Sequence, residues 1–306
     1  MSIVVVGSVA FDTIETPEGR VERAIGGSAT YFSMAASYFV PVKLVAVAGE
    51  DFGDEHKSIL RERGVDLDGL TIVEGGKTFF WEGRYGKDPN ERLTVATELN
   101  VFEGFQPVLP QQYRDTDWIF LGNIDPVIQS QVLDQASGRP HVGCDTMNFW
   151  IERKSDELRD VLRRVDILFI NDEEAKQLSG EFNLVQAGQA LLEMGPEVIV
   201  IKKGEHGAFL ITEEFRFVSP AYPLRDVVDP TGAGDSFAGG FMGYLAGTSR
   251  MDQPHLRRAM LYGTATASFT CERYSVERLQ ELTRDAIADR FDELVGITSV
   301  ERDQNG

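Results

Sequence analysis

One run of residues, Asp229-Pro230-Thr231-Gly232-Ala233-Gly234-Asp235, combines an anion cradle with an acid. Val227-Val228 before it reads as the end of a short apolar strand. The small-residue stretch after it, through Phe237, Phe241 and Leu245, reads as a helix. Small residues just ahead of a helix leave the first-turn N–H groups bare, without intrahelical acceptors and at the positive end of the helix dipole. Such a turn holds an anion, most often phosphate. A carboxylate placed there repels the anion that the turn attracts. Asp235 therefore makes chemical sense as a base that takes a proton from an attacking hydroxyl beside the phosphate. The dipole is expected to hold its pKa low, making it a weak base that accepts the proton late. Taken alone, Gly232 to Asp235 are equally well explained as a tight turn followed by an ordinary first-turn acid.

Such a turn needs a frame, and the rest of the chain supplies the pattern of one. Buried apolar runs at residues 2–7, 42–48, 118–121, 141–145, 167–170 and 198–201 alternate with helical stretches. That order predicts a parallel sheet covered on both faces. No internal repeat, low-complexity tract or linker divides residues 1–306, so one domain is expected. In open parallel sheets ligands bind beyond the carboxyl ends of the strands. The polar residues falling there are Asp12, Asn123, Asp125, Asp145 to Asn148, Asn171, Lys202 to Gly204, and the 229–235 loop. Gly26-Gly27 precedes a helical run, 29–39, and a helix over 52–63 is expected to stop at Gly64. Thr78 to Tyr85 alternates, with Phe79, Trp81 and Tyr85 on one face. It predicts a small sheet standing off the main one, with excursions at about 9–25 and 70–100. The aromatic stripe reads as a lid core or subunit contact, with stacking on a nucleobase as the other reading. After Arg284 the chain is acidic and helical in pattern, then ends in a loose polar tail.

Two further segments carry both a structural and a chemical reading. Asn171 and Glu174 have the spacing of a helix capping box, which needs no ligand. Lys202-Lys203-Gly204-Glu205-His206-Gly207 has the composition of a charged hairpin turn, and alternation lets only one of the two lysines point inward.

Charge and composition narrow the partners. The formal net charge of −19 disfavours nucleic acid and anionic membranes. It also requires any phosphate site to be locally positive against the global field. The basic residues are 22 Arg and 8 Lys, against 49 acidic residues, a balance that suggests adaptation to high salt. The two cysteines, Cys144 and Cys271, and the four scattered histidines form neither a disulfide framework nor a metal-ligand spacing. Met1 to Gly7 lacks the basic start of a signal peptide, and no stretch is long enough to span a bilayer, so a soluble, cytoplasmic protein is expected.

The longer string DPTGAGDSFAGGF resembles the C-terminal signature of the PfkB carbohydrate kinases, the ribokinase-like family. The resemblance extends from Gly7 to about Cys271. It implies an α/β fold: a three-layer α/β/α sandwich with a mostly parallel central sheet and a small β-sheet lid. It also implies ATP-dependent phosphorylation of a hydroxyl on a sugar or sugar-like substrate, with a nucleoside kinase of the same fold as the alternative. Asp235 would be the base, with the amides of Gly232, Ala233 and Gly234 around the transferring group. Asp12 would hold substrate hydroxyls, and Gly26-Gly27 would contact substrate and hinge the lid. Tyr31 stands where the family usually has Asn, which leaves one sugar contact open. Asn123 and, through a loose D-x-N likeness that includes an extra residue, Asn148 join the substrate side. Asn171 and Glu174 look like the family's NxxE motif, with Glu174 positioning Mg²⁺ through water. Lys202, Gly204 and Gly207 match a segment that lies along the nucleotide. Asp229 and Thr231 fall where K⁺ is often held. A homodimer through the lid is expected. A dinucleotide-dependent dehydrogenase is disfavoured because Gly7 to Asp12 lacks G-x-G-x-x-G. A non-catalytic nucleotide sensor would leave Asp235 without a purpose.

Overall fold

Short runs of β-branched and aromatic residues, apolar on every side, become the middle of a wide sheet. The computed structural model describes residues 1–300. In chain order the strands are β1 (Ile3–Val6), β2 (Ala10–Thr16), β3 (Gly19–Gly26), β4 (Val42–Gly49), β5 (Val65–Val73), β6 (Phe79–Tyr85) and β7 (Arg92–Glu98). They continue as β8 (Trp118–Leu121), β9 (His141–Asp145), β10 (Ile167–Asn171), β11 (Val198–Lys202), β12 (Ala208–Ile211) and β13 (Arg216–Ser219). Nine of them form one sheet in the order β13-β12-β11-β10-β9-β8-β1-β4-β5. Pairing is parallel from β5 to β11 and antiparallel only through β12 and β13.

Alternation along these strands feeds two separate cores. Val4, Val6, Ile119, Leu121, Leu168, Ile170, Ile199 and Ile201 point to one face. Ile3, Val5, Trp118, Phe120, Ile167, Phe169, Val198 and Val200 point to the other. Strands buried on both faces need helices on both faces. Helices Pro126–Gln135, Ser155–Leu162, Asp172–Ser179 and Leu184–Leu192 cover the first, through Val132, Leu158, Ala175 and Leu191. Helices Ser28–Ala36, Ala233–Thr248 and Gln253–Thr270 cover the second, through Phe32, Phe241 and Met260. The expected three layers are present. Helix 233–248 lies between its two neighbours, which explains its small residues. A β-carbon on Gly239 would meet the Phe32 carbonyl at 2.6 Å, and one on Gly240 would meet the Tyr262 carbonyl at 2.8 Å.

The remaining strands form a four-stranded lid, β3-β2-β6-β7. The first lid excursion, expected at about 9–25, is the hairpin of β2 and β3 and runs to Gly26, because β3 hydrogen-bonds along β2. The second lid excursion begins near Phe79 rather than 70, because β5 pairs with β4 as far as Gly49–Val73 and so belongs to the main sheet. Gly64 follows helix Asp54–Glu62 in a left-handed conformation, as a C-terminal stop. Helix Arg284–Thr298 ends the described chain, and most of the expected polar tail lies outside the described residues. Among those residues no helix is long and apolar enough to cross a membrane.

Candidate active site

The mouth of helix 233–248 opens where the main sheet, its carboxyl-end loops and the lid meet. Gly232 caps the helix with φ +75°, and no side chain caps it. A β-carbon there would lie 2.3 Å from ring atoms of Tyr31, so conformation and contact both demand glycine. The Ala233 N–H differs from expectation: it donates to the Pro230 carbonyl at 3.2 Å and is spent on the turn itself. Gly232 and Gly234 have no acceptor for their N–H groups among the described residues, so they keep donors for an anion.

Asp235 sits in the first turn, half-buried. Removal from water and the neighbouring Asp145 carboxylate push its pKa up to about 7, against the pull of Lys202. This corrects the expectation of a depressed value. The helix dipole favours the anion by about 1 kcal/mol, and burial beside a like charge outweighs that. A carboxylate titrating near neutrality is a better general base than an ordinary aspartate.

Lys202 ends β11 and points inward, as the alternation allowed, while the Lys203 ammonium sits 5.1 Å over the Phe209 ring. Lys202 Nζ lies 2.6 Å from Asp145 Oδ2, with both side chains largely hidden from water. A β-carbon on Gly234 would come within 3.1 Å of the same Nζ, so the ammonium lies against the helix mouth. Burial alone would depress the Lys202 pKa, but Asp145, Glu174 and Asp235 more than reverse this and keep it protonated.

Asn171 and Glu174 form the capping box: Glu174 N–H donates to Asn171 Oδ1 at 2.8 Å and Asn171 N–H to Glu174 Oε2 at 3.0 Å. The second Glu174 oxygen has no protein partner among the described residues. Burial lifts Glu174 to about 7, with Asn171 N–H and Lys202 opposing. Gly204 and Gly207 have φ of +52° and +80° in the turn between β11 and β12. That turn is a hairpin, and it is also next to the lid: a β-carbon on Gly204 would strike Asn90 Oδ1 at 2.0 Å.

On the acceptor side, Asp12 is buried in β2, and burial together with Asp229 lifts its pKa to about 8, against a hydrogen bond from Gly27 N–H. A β-carbon on Gly26 would fall 1.9 Å from Asp12 Oδ2, and Gly27, with φ +94°, starts helix 28–36. The Tyr31 hydroxyl is buried with no hydrogen-bond partner. Its pKa is held well above the usual value by burial, Asp229, Asp12, Tyr85 and Asp235, which places the phenol among those groups. Asp229 is wholly buried, and its two oxygens accept from Thr231 N–H at 2.8 Å and Ser275 N–H at 3.0 Å. The Thr231 hydroxyl donates to Tyr85 OH at 3.0 Å, tying the lid to the turn.

Two expected substrate residues are engaged by neighbouring protein groups. Asn148 is exposed, and its Oδ1 accepts its neighbour's amide, from Phe149. Asp145 is the buried acid of this segment, paired with Lys202. Asn123 Oδ1 accepts from Trp150 Nε1 at 3.0 Å. Sequence reasoning placed Asp145 among the polar residues at strand ends without giving it a role of its own; Arg92, which opposes the burial that lifts Asp12, Glu174 and Asp235, carried no signal in the sequence.

The model of the pfkB family carbohydrate kinases matches residues 1–281. A cytidine kinase of Thermococcus kodakarensis is 32% identical over 257 residues, covering 82% of this chain and 89% of its own. An aminoimidazole riboside kinase of Salmonella typhimurium is 36% identical over 279 residues, covering 84% of each. A putative ribokinase II of E. coli, solved with ATP and Mg²⁺, superposes with a TM-score of 0.79 over 95% of this chain and 99% of its own at 18% identity. That likeness shows the fold. With a matched family model over nearly the whole described chain and relatives that are kinases, this chain belongs to the pfkB family of carbohydrate kinases.

Proposed function

We propose that the chain transfers the γ-phosphoryl group of ATP to a hydroxyl of a sugar or nucleoside, with Asp235 as general base. The observation that carries this reading is the juxtaposition, at one helix mouth, of unpaired amides, the Lys202 ammonium and a carboxylate that titrates near pH 7. The acceptor O–H gives its proton to Asp235 as its oxygen bonds to the γ-phosphorus. The bond from that phosphorus to the bridging oxygen breaks and ADP leaves. Gly232 and Gly234 N–H groups and Lys202 take up the charge that develops on the transferring oxygens. Glu174 fits Mg²⁺, since it keeps one carboxylate oxygen unpaired and a hard cation prefers oxygen donors; the ion would supply charge neutralisation at the phosphates. K⁺ at Asp229 and Thr231 has less support, because both Asp229 oxygens and the Thr231 hydroxyl are already engaged within the turn.

For the acceptor, Asp12 suits vicinal hydroxyls. A nucleoside is favoured over a free sugar by Trp81, half-buried and paired in register with Asp12 on the lid, where an aromatic base would stack. The cytidine and aminoimidazole riboside kinases it resembles act on ribosides by name. Leu93 and Val95, exposed on the edge strand β7, are the surface through which we propose a lid-to-lid dimer.

ADP release with ATP and Mg²⁺ against a panel of pentoses, hexoses and nucleosides tests the reading. Asp235→Asn is expected to lower kcat by about 10³-fold or more with nucleotide affinity little changed. Wild-type turnover in that variant, or no acceptor-dependent ADP from the wild type, refutes it.

A further inference from the structure

The phosphate turn ends a long irregular segment. Residues 220–232 form neither strand nor helix on their way from β13 to helix 233–248. Between Pro220 and Val227 one hydrogen bond reaches another element among the described residues: Tyr222 OH donates to Glu293 Oε2 at 2.6 Å. The lid leaves this segment room. A cavity of about 330 Å³ is lined by Arg225 to Val228 on one side and by Pro17, Glu18 and Lys87 of the lid. A loop with so few ties opens easily, and the turn would shift with it.

Helix Arg284–Thr298 supplies the missing tie. Its Arg290, largely hidden from water, packs its guanidinium 3.4 Å from the centre of the Phe269 ring and 4.3 Å from that of Tyr222. The same fork donates to Ser268 Oγ at 3.0 Å and to Glu272 Oε1 at 2.7 Å. Arg278 Nε holds the other Glu272 oxygen at 2.9 Å. Between Ser268 and Glu272 stands Cys271, whose carbonyl accepts Val228 N–H at 2.9 Å and Asp229 N–H at 3.4 Å. One guanidinium therefore holds the loop through Tyr222 and the support under the turn through Ser268 and Glu272. Asp229 passes that position on by accepting from Thr231 N–H inside the turn. A planar guanidinium can stack on rings and donate from its edge at once, which an ammonium cannot. Arg290 and Glu293 lie past residue 281, where the match to the family model ends.

We propose that Arg290 is a positioning residue for phosphoryl transfer: it fixes residues 220–232 so that the Gly232 and Gly234 amides meet the transferring group. This rests on the phosphotransfer reading above. Arg290 acts through Tyr222 and Cys271 and exchanges no proton. A displacement of about 1 Å at such donors costs about 10²-fold in rate, even when its origin is far from the reacting atoms. The C-terminal helix is on this account part of the phosphate site.

The test compares Arg290→Met, Tyr222→Leu, Ile287→Ala and Asp235→Asn in the full chain, with cytidine and ribose as acceptors. Each is assayed at a temperature where circular dichroism shows the variant folded. Ile287 is buried in the core beneath the same helix, so its truncation loosens the helix and leaves the Arg290 contacts in place. Arg290→Met and Tyr222→Leu are each expected to cut kcat by about 10- to 10²-fold. Ile287→Ala should stay within about threefold of wild type despite a lower melting temperature. In the Arg290 and Tyr222 variants the Kd for ADP should stay within about threefold, while that for adenylyl imidodiphosphate, which adds the γ-phosphoryl group, should rise about tenfold. That binding arm needs no turnover and decides the case if neither acceptor is phosphorylated. Wild-type kcat and analogue affinity in Arg290→Met overturn the proposal. So does an equal loss in Ile287→Ala, which would make Arg290 one more contact docking the helix, and so do equal losses for ADP and its analogue. Full activity of Asp235→Asn overturns the site reading instead and leaves Arg290 to the binding arm.

Discussion

Asp12→Asn should stabilise the ligand-free protein at alkaline pH while impairing its chemistry. Asp12 is buried, with a pKa lifted to about 8 by burial and Asp229. In the unfolded chain the same carboxyl ionises near 4. Between these values the folded state holds a proton that the unfolded state has released, so stability falls as pH rises. The contribution is complete below pH 4 and is lost through pH 8. Four pKa units correspond to about 5 kcal/mol, of which about 4 would disappear between pH 5 and 8. Water entering the cleft and relaxation of the lid reduce this, so about 2 kcal/mol is a realistic expectation. Glu174 and Asp235, both lifted to about 7, act with the same sign over pH 4 to 7. Urea unfolding of wild type and Asp12→Asn at several pH values isolates the Asp12 share. Asparagine keeps the shape and does not titrate, so its curve should fall less steeply and lie above wild type at pH 8. Acceptor KM should rise at least tenfold in the same variant. Parallel pH–stability curves for the two proteins would refute the reasoning, because they would mean Asp12 is solvated in the folded state.

The remaining expectations use the same site. Removing the like charge in Asp145→Asn should move the acid limb of kcat/KM to lower pH, and removing the cation in Lys202→Met should move it to higher pH, by about 1 unit each; shifts of the same sign in a pH–rate series would contradict the arrangement at Asp235. Tyr31→Phe deletes a buried hydroxyl with no protein partner, so stability should change by less than about 1 kcal/mol while acceptor KM rises, measured by thermal melts and initial rates. With a net charge of −19, the melting temperature should climb with KCl and equally with NaCl if screening is responsible. A rise specific to KCl would instead support an ion at Asp229.

What the sequence disclosed depended on how far apart the participants lie in the chain. The helix mouth is made by consecutive residues, so Gly232 to Asp235 could be read as one object. The strands β1, β8, β10 and β11 were equally legible, because burial on both faces leaves an uninterrupted apolar run. Asp145 and Lys202 are 57 residues apart, and nothing local marks them as a pair; only the parallel register of β9, β10 and β11 brings their strand ends together. Arg92 was hidden differently. β7 is exposed along nearly its whole length, and its register against β6 shifts between Glu82 and Gly83, so simple alternation does not say which of its side chains face inward. The Asp235 pKa could not be read from the helix dipole because its dominant cause, burial beside Asp145, exists only after folding.

These pieces also account for how so acidic a chain can attract a polyanion. Long-range repulsion from the surface is screened within about 10 Å at moderate salt, so the cleft itself decides. There, Asp12, Glu174 and Asp235 are shifted toward neutrality by burial, which removes part of the local negative charge at physiological pH. Lys202 stays charged because Asp145 lies 2.6 Å away, and it is held at the mouth with little conformational freedom left to lose. The open amides of Gly232 and Gly234 add fixed positive ends that need no counterion. The same burial that weakens Asp235 as an anion raises its basicity, so under the proposed function one physical cause would both admit the phosphate and equip the base beside it.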